Sequence, residues 1–263
     1  MRISQGWPFK KKFSHYCKCC TMQNTSISVH SYETAQQATR EAGKIITKIL
    51  REQHNRPVLL LSSGGSTLDI LEQVTFPEKK EMITLSVLDE RLSQDSLVNN
   101  FSRLVTLPFF HSFVVSGGKS IDTRMRSGDS VFSLSNRFET ALRRWKRDYP
   151  QGIILITQGI GTDGHTAGIM PFPENPELFK TLFDDPKRWV VGYDAGIKNP
   201  YPLRVTVTIT FLREMVDCSI VFIAGENKAS LLKNFLQHQE KTCDAPLYIL
   251  KEMCKVVIVT NIR

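Results

Sequence analysis

Short apolar runs alternate along this chain with longer stretches in which apolar residues recur every three or four positions. Val58, Leu59, Leu60 and Leu61 make one such run, and 83–88, 153–157, 220–224 and 255–260 make others. Each is strand-length and bounded by turn residues, which predicts strands buried on both faces. Between them, Ala35, Ala38, Ala42, Ile45, Ile46 and Ile49 share one face of a helix, with Ser31 as its expected N-cap and Pro57 as its stop. A Ser-Gly-Gly-Ser turn leads into a second helix over about 67–74. Val131, Leu134, Phe138, Leu142 and Trp145 mark a third, stopped by Tyr149-Pro150, and 226–238 reads as a fourth. Over 204–209 the chain alternates strictly, with Val205, Val207 and Ile209 on one face and Thr206 and Thr208 on the other. Residues 89–100 read as a polar loop, and Gly117-Gly118 as an ordinary one.

Strands alternating with helices imply an α/β fold with parallel pairing, helices on both faces and ligands at the carboxyl ends of the strands. The pattern begins near Met22, so 22–263 is read as a single domain and 1–21 as an extension dispensable for folding.

Charge changes the picture only at the amino-terminal end. The net charge is +8, but Arg2, Lys10, Lys11, Lys12 and Lys18 supply five of those charges and no acid accompanies them. The remainder has no basic stripe with interleaved aromatics, so no nucleic-acid partner is expected. No apolar run nears the roughly 18 residues of a membrane span, and the first residues lack the apolar core of a secretory signal. His15, Cys17, Cys19 and Cys20 have metal-binding chemistry, yet no second ligand pair follows at finger-like spacing. These cysteines, with Cys218, Cys243 and Cys254, read as reduced thiols of a cytoplasmic protein that holds no metal.

Four segments fall just after expected strands, where such a sheet places its chemistry. Ser63-Gly64-Gly65-Ser66-Thr67 joins paired glycines to a helix start, which suits a phosphate or, equally, a tight turn capped by Ser66 or Thr67. It is no Walker loop, since the lysine and its spacer are missing. Asp89-Glu90-Arg91 reads either as a solvated charge run or as an arginine placed to hold an oxyanion. Gly159-Ile160-Gly161-Thr162-Asp163-Gly164-His165 contains a formal G-x-G-x-x-G, but Pro171, Pro173 and Pro176 interrupt the helix a dinucleotide site needs. What stands out there is His165 two residues from Asp163, a proton-transfer group beside a carboxylate that can orient it. Gly225-Glu226-Asn227-Lys228 sets a lysine in a first helical turn, where an anion would offset its unfavourable interaction with the helix dipole.

With Arg204-Val205-Thr206, these segments in this order resemble the 6-phosphogluconolactonase family, within the larger group that includes glucosamine-6-phosphate deaminases. The resemblance runs from Met22 to the end. It implies a three-layer α/β/α fold with a mostly parallel, Rossmann-like sheet, and cofactor-free hydrolysis of a phosphorylated sugar lactone in the pentose phosphate pathway. It makes His165 the general base, supported by Asp163. Gly64, Gly65, Ser66, Thr67, Arg91 and Lys228 would bind phosphate, and Arg204 would line the pocket. Asp89 and Asn100 are further candidates. The chain departs from the family at Leu97-Val98-Asn99-Asn100, where a Ser-Asn pair is usual, and at Gly168-Ile169-Met170-Pro171. The deaminase branch is the alternative reading. Asp89 matches its proton-abstracting aspartate, but Met170 replaces its glutamate and Arg91 stands where an aromatic is usual. A sugar-phosphate-binding protein without catalysis is the other alternative. A monomer or small homo-oligomer is expected.

Overall fold

The computed structural model describes residues 25–262. The extension 1–21, with its basic residues and its His15, Cys17, Cys19 and Cys20 cluster, lies outside the described residues. The elements run β1 (Ser26–Ser31), α1 (Ala35–Glu52), β2 (Val58–Ser62), α2 (Ser66–Glu72), β3 (Ile83–Val87) and β4 (Asp89–Arg91). Then follow α3 (Asn100–Val105), α4 (Pro108–Val115), β5 (Lys119–Ser120), α5 (Val131–Asp148), β6 (Ile153–Gly159) and α6 (Pro176–Phe183). The last are β7 (Val190–Asp194), β8 (Leu203–Val207), α7 (Ile209–Glu214), β9 (Cys218–Ile223), α8 (Ala229–Gln237) and β10 (Lys255–Thr260).

Seven strands form one parallel sheet in the order β1-β10-β9-β6-β2-β3-β5. The period-two geometry of its strands divides the interior into two cores. Leu60, Leu85, Leu155, Ile220 and Val257 face α1, α2, α3 and α4. Leu59, Leu61, Ile154, Ile156, Val221 and Ile258 face α5, α6, α7 and α8. That is the three-layer α/β/α arrangement, and it explains why β2, β3, β6 and β9 are buried along their lengths. A second sheet, β4-β8-β7, is antiparallel and packs within the α5 layer.

Several elements differ from the sequence reading, each for a local reason. Ser31 is the last residue of β1, where it pairs with Thr260, and Thr34 caps α1 instead by accepting from the Gln37 amide at 3.1 Å. The α1 helix ends at Glu52, before Pro57. The expected loop 89–100 opens with a strand, because Asp89, Glu90 and Arg91 pair with Thr206, Val205 and Arg204. Ile209 leaves the β8 alternation and starts α7, as the Thr208 side chain caps that helix through the Phe211 amide. Residues 226–228 form a 3₁₀ turn before α8.

From β2 the chain steps through α2 to β3 on one side, then returns to lay β6 on the other. The strand order reverses there. The carboxyl ends of β2 and β6 border the crevice at such a reversal, which is where open α/β sheets bind ligands.

Candidate active site

The carboxyl ends of four successive strands, β9, β6, β2 and β3, meet this crevice. Ser62 is in register with Thr157 on one side and Val87 on the other, and Gly159 with Phe222. Strands in a sheet lie about 4.8 Å apart. The segments after them, which bear Lys228, His165, Gly64 and Arg91 in that order, therefore line up along one end of the sheet, the outer two strands about 14 Å apart, although they are scattered in sequence.

After β2, Gly65 is the N-cap of α2 and offers no side-chain cap; the Leu68 amide turns back to the Gly65 carbonyl at 3.1 Å, and those of Ser66 and Thr67 are left to other partners. Ser66 is exposed at that turn. Thr67 is buried, and its hydroxyl reaches back to the carbonyls of Ser63 (2.6 Å) and Gly64 (2.9 Å), which shapes the turn. A methyl group on Gly64 would lie 2.1 Å from Asn100 Oδ1, so glycine is what lets Asn100 reach the loop. Asn100 donates from Nδ2 to the Asp89 carbonyl at 2.9 Å.

After β3, the short strand β4 carries Asp89 and Arg91 on one face and Glu90 on the other. Arg91 stands opposite Arg204, a like-charge pairing that is unfavourable unless offset. Asp89 offsets it: its Oδ2 accepts from Arg204 Nη2 at 2.7 Å, with both side chains buried. Arg91 donates from Nη1 to the Val98 carbonyl at 2.8 Å. Glu90 is fully buried and accepts from the Arg91 amide (2.8 Å), the Asn100 amide (2.6 Å), the Phe101 amide (2.9 Å) and Thr123 Oγ1 (3.0 Å). Burial pushes its carboxyl up to about 7, against the lowering pull of those three amides.

After β6 comes the loop that carries His165. Its Nδ1 lies 2.5 Å from Asp163 Oδ1, which also accepts the His165 amide at 3.1 Å. Burial raises the Asp163 carboxyl, but the hydrogen bonds from the His165 ring and amide outweigh it and hold the group below the usual aspartate range. An ionised carboxylate only accepts, so Nδ1 carries a proton, and in the neutral ring Nε2 then presents a lone pair. The ring rests on Gly161, where a methyl group would stand 2.2 Å from His165 Cε1. Further along, Ala167 has φ 50° and Gly168 φ 75°. The left-handed alanine is strained and persists because its surroundings over-determine it. The Thr206 hydroxyl donates to the Ala167 carbonyl, and the Tyr193 hydroxyl to that of Gly168 at 2.5 Å.

After β9, Lys228 closes the 3₁₀ turn, and burial alone holds its ammonium below the usual lysine range. Arg91, Arg204 and Lys228 are matched in number by Asp89, Glu90 and Asp163, but of these three cations only Arg204 is in an ion pair among the described residues, which leaves Arg91 and Lys228 for a ligand. Cations without an acidic partner suit an anion. Among the described residues, buried side-chain atoms without a hydrogen-bond partner concentrate here: Ser63 Oγ, Arg91 Nε, Asn100 Oδ1, and Arg204 Nε and Nη1. Such orphans are costly unless a ligand satisfies them.

Contacts within the fold join Gly64, Asn100, Asp89, Arg204 and Arg91 to the loop of Asp163 and His165, whereas Lys228 is placed on the same end of the sheet by strand order alone. Sequence reasoning gave no role to Ser63, Glu90 and Thr206, although each lies in a segment it singled out, and it missed Tyr193 altogether. The only signal for Glu90 was its place between Asp89 and Arg91.

Residues 30–258 match the sequence model of the family described as glucosamine-6-phosphate isomerases/6-phosphogluconolactonase. The chain is similar to the 6-phosphogluconolactonase of Rattus norvegicus, at 25% identity over 201 residues covering 70% of this chain and 71% of that protein. It is similar to the Bos taurus 6-phosphogluconolactonase at 27% identity, over 68% of each chain. Among solved structures, a 6-phosphogluconolactonase from Leishmania guyanensis superposes with a TM-score of 0.68 at 20% identity, over 89% of this chain and 96% of that one. One from Shewanella baltica gives 0.67 at 18%, over 90% and 98%. The fold is shared with both.

Proposed function

The chain belongs to the glucosamine-6-phosphate isomerase/6-phosphogluconolactonase family, and from that premise we propose that it hydrolyses 6-phospho-D-glucono-1,5-lactone to 6-phosphogluconate in the pentose phosphate pathway. The observation that carries this reading is the half-exposed His165–Asp163 pair at the strand ends that also bear Arg91 and Lys228. With Nδ1 donating to Asp163, Nε2 takes a proton from water as the hydroxyl oxygen bonds to C1 of the lactone. The tetrahedral intermediate collapses, the C1–ring-oxygen bond breaks, and the imidazolium returns the proton to the departing oxygen. Arg91, Lys228 and the amides after Gly64 hold the phosphate, with Arg204 and Asn100 on the pocket wall. Anchoring the remote phosphate places C1 before the base, so binding is used for orientation. No step in this sequence requires a cofactor.

The isomerase reading needs a carboxylate to move protons between carbons. Met170 is buried in the core at the position of that glutamate, and Asp89 is locked to Arg204 in a buried ion pair. Hydrolysis is the better fit. No helix of the described residues is long and apolar enough to cross a membrane, and the cytoplasm is the compartment proposed.

The test is turnover of 6-phosphoglucono-1,5-lactone, corrected for spontaneous hydrolysis. His165→Ala should lower kcat by roughly 10²–10⁴-fold with little change in KM, because the proton moves only in the transition state. Turnover at the parent rate in that variant overturns the mechanism. Binding of the lactone without any turnover by the parent protein would favour the non-catalytic alternative.

A further inference from the structure

We propose that Glu90 is the positioning residue of the anion site: its buried carboxylate fixes Arg91 for the substrate phosphate by tying the Arg91 amide to the first turn of α3. The proposal rests on the reading of Arg91 as a phosphate ligand.

A fully buried carboxylate is costly unless its environment compensates it. No ion pair among the described residues involves Glu90, and its compensation comes from three backbone amides and one hydroxyl. Capping α3 does not by itself explain an acid here. Asn99 already caps that helix, accepting the Ser102 amide at 3.1 Å, and a neutral side chain serves that purpose elsewhere in the chain.

What the carboxylate adds is a junction. Oε1 takes the amides of both Arg91 and Asn100, at 2.8 and 2.6 Å. Oε2 takes the Phe101 amide and the Thr123 hydroxyl, joining a third segment of chain. The same stretch, 98–100, grips Arg91 from its other side: Asn99 Nδ2 donates to the Arg91 carbonyl at 3.2 Å, and Arg91 Nη1 donates to the Val98 carbonyl. Outside its strand pairing, the restraints on Arg91 come from Glu90 and from the segment that Glu90 anchors. Arg91 Nε is the group left without a partner, which is the arrangement expected of an arginine held in place for a ligand.

Glu90→Gln tests this without leaving a cavity. The amide has one acceptor oxygen, so its NH₂ must face either the Arg91 and Asn100 amides or the Phe101 amide, donor against donor. KM for 6-phosphoglucono-1,5-lactone should rise about ten-fold, with kcat held within about three-fold, since anchoring is lost and the base is untouched. Turnover of unphosphorylated glucono-1,5-lactone should change by less than about two-fold, because it makes no phosphate contact. In an Arg91→Ala background, Glu90→Gln should add less than about two-fold to KM, the non-additivity of residues acting through one another.

A parental KM in Glu90→Gln overturns the proposal. So does an equal loss with both lactones, or an undiminished effect in the Arg91→Ala background, since either marks a general structural role. Arg91→Ala alone separates the two levels. A raised KM there with an unchanged one in Glu90→Gln sinks only the present inference, whereas a parental KM in Arg91→Ala sinks the phosphate reading and this proposal with it. If Glu90→Gln does not fold, Thr123→Val removes one partner of the junction and should raise KM about two- to five-fold. An unchanged KM in that variant overturns the proposal.

Discussion

Replacing Gly161 by alanine asks whether His165 works from the position in which its loop holds it. The added methyl would sit 2.2 Å from both Cε1 and Nδ1 of His165 and 2.6 Å from Asp163 Oδ1. Carbon atoms in ordinary contact stand about 3.5–4.0 Å apart, so something must move by about 1.5 Å. The easiest thing to move is the imidazole, which is partly exposed and can swing toward solvent. That relief breaks the 2.5 Å bond to Asp163 and carries Nε2 away from the attacking water. A misplacement of about 1 Å costs on the order of 10²-fold in rate, which is the loss of kcat expected for Gly161→Ala. Stability should hardly change. Gly161 is not among the positive-φ glycines, and Gly→Ala at a compatible position contributes about 0.4–1 kcal/mol by restricting the unfolded chain. The assay is lactone consumption at neutral pH above the spontaneous rate, beside a thermal melt. A well-folded Gly161→Ala protein with the parent kcat would refute the reasoning. A further ten-fold loss on adding Gly161→Ala to His165→Ala would show that the glycine acts through something other than the ring.

Arg204→Met should strand Asp89 as a buried charge at a cost of about 3–5 kcal/mol, which urea unfolding at neutral pH would read as an earlier midpoint. An unchanged midpoint would remove the ion pair from the account of the site. Glu90 gives a pH dependence of definite sign. Its carboxyl is pushed up to about 7, so the folded protein holds a proton that the unfolded chain releases near the ordinary glutamate value. Stability from this group is complete below that value and lost as pH rises through 7, about 3 kcal/mol over the interval. Unfolding midpoints measured from pH 4.5 to 8 should show less of this decline in Glu90→Gln than in the parent, and parallel curves would contradict the burial argument.

The parts of the molecule legible in its sequence are those where one short segment decides the outcome. Val58–Leu61 is apolar throughout because β2 lies between two helical layers, and no competing pattern obscures it. By contrast β1, Ser26–Ser31, is a half-exposed edge strand rich in serine, and Ser31 before an alanine-rich helix imitates a cap. The strand β4 has only Asp89, Glu90 and Arg91, and what makes it a strand is β8, more than a hundred positions away. The site divides in the same way. His165 and Asp163 are two residues apart and can be read together, whereas the Arg204–Asp89 bond spans 115 positions and that between Tyr193 and Gly168 spans 25. Glu90 was visible as a charge, but its partners at Asn100, Phe101 and Thr123 belong to tertiary structure.

The place of β1 in the sheet also sets an order in time. Its only neighbour among the described residues is β10, and Ser31 closes the contact by donating to the carbonyl of Ile262, 231 positions further on. At synthesis rates of about 5–20 residues per second, the first strand waits on the order of 10–50 s for the last. Through that interval the edge that β10 will take is unpaired, and β1 is open to mispairing with other nascent chains. Docking of β1 onto β10 is the longest-range step of assembly and should be the slow, concentration-sensitive phase of refolding.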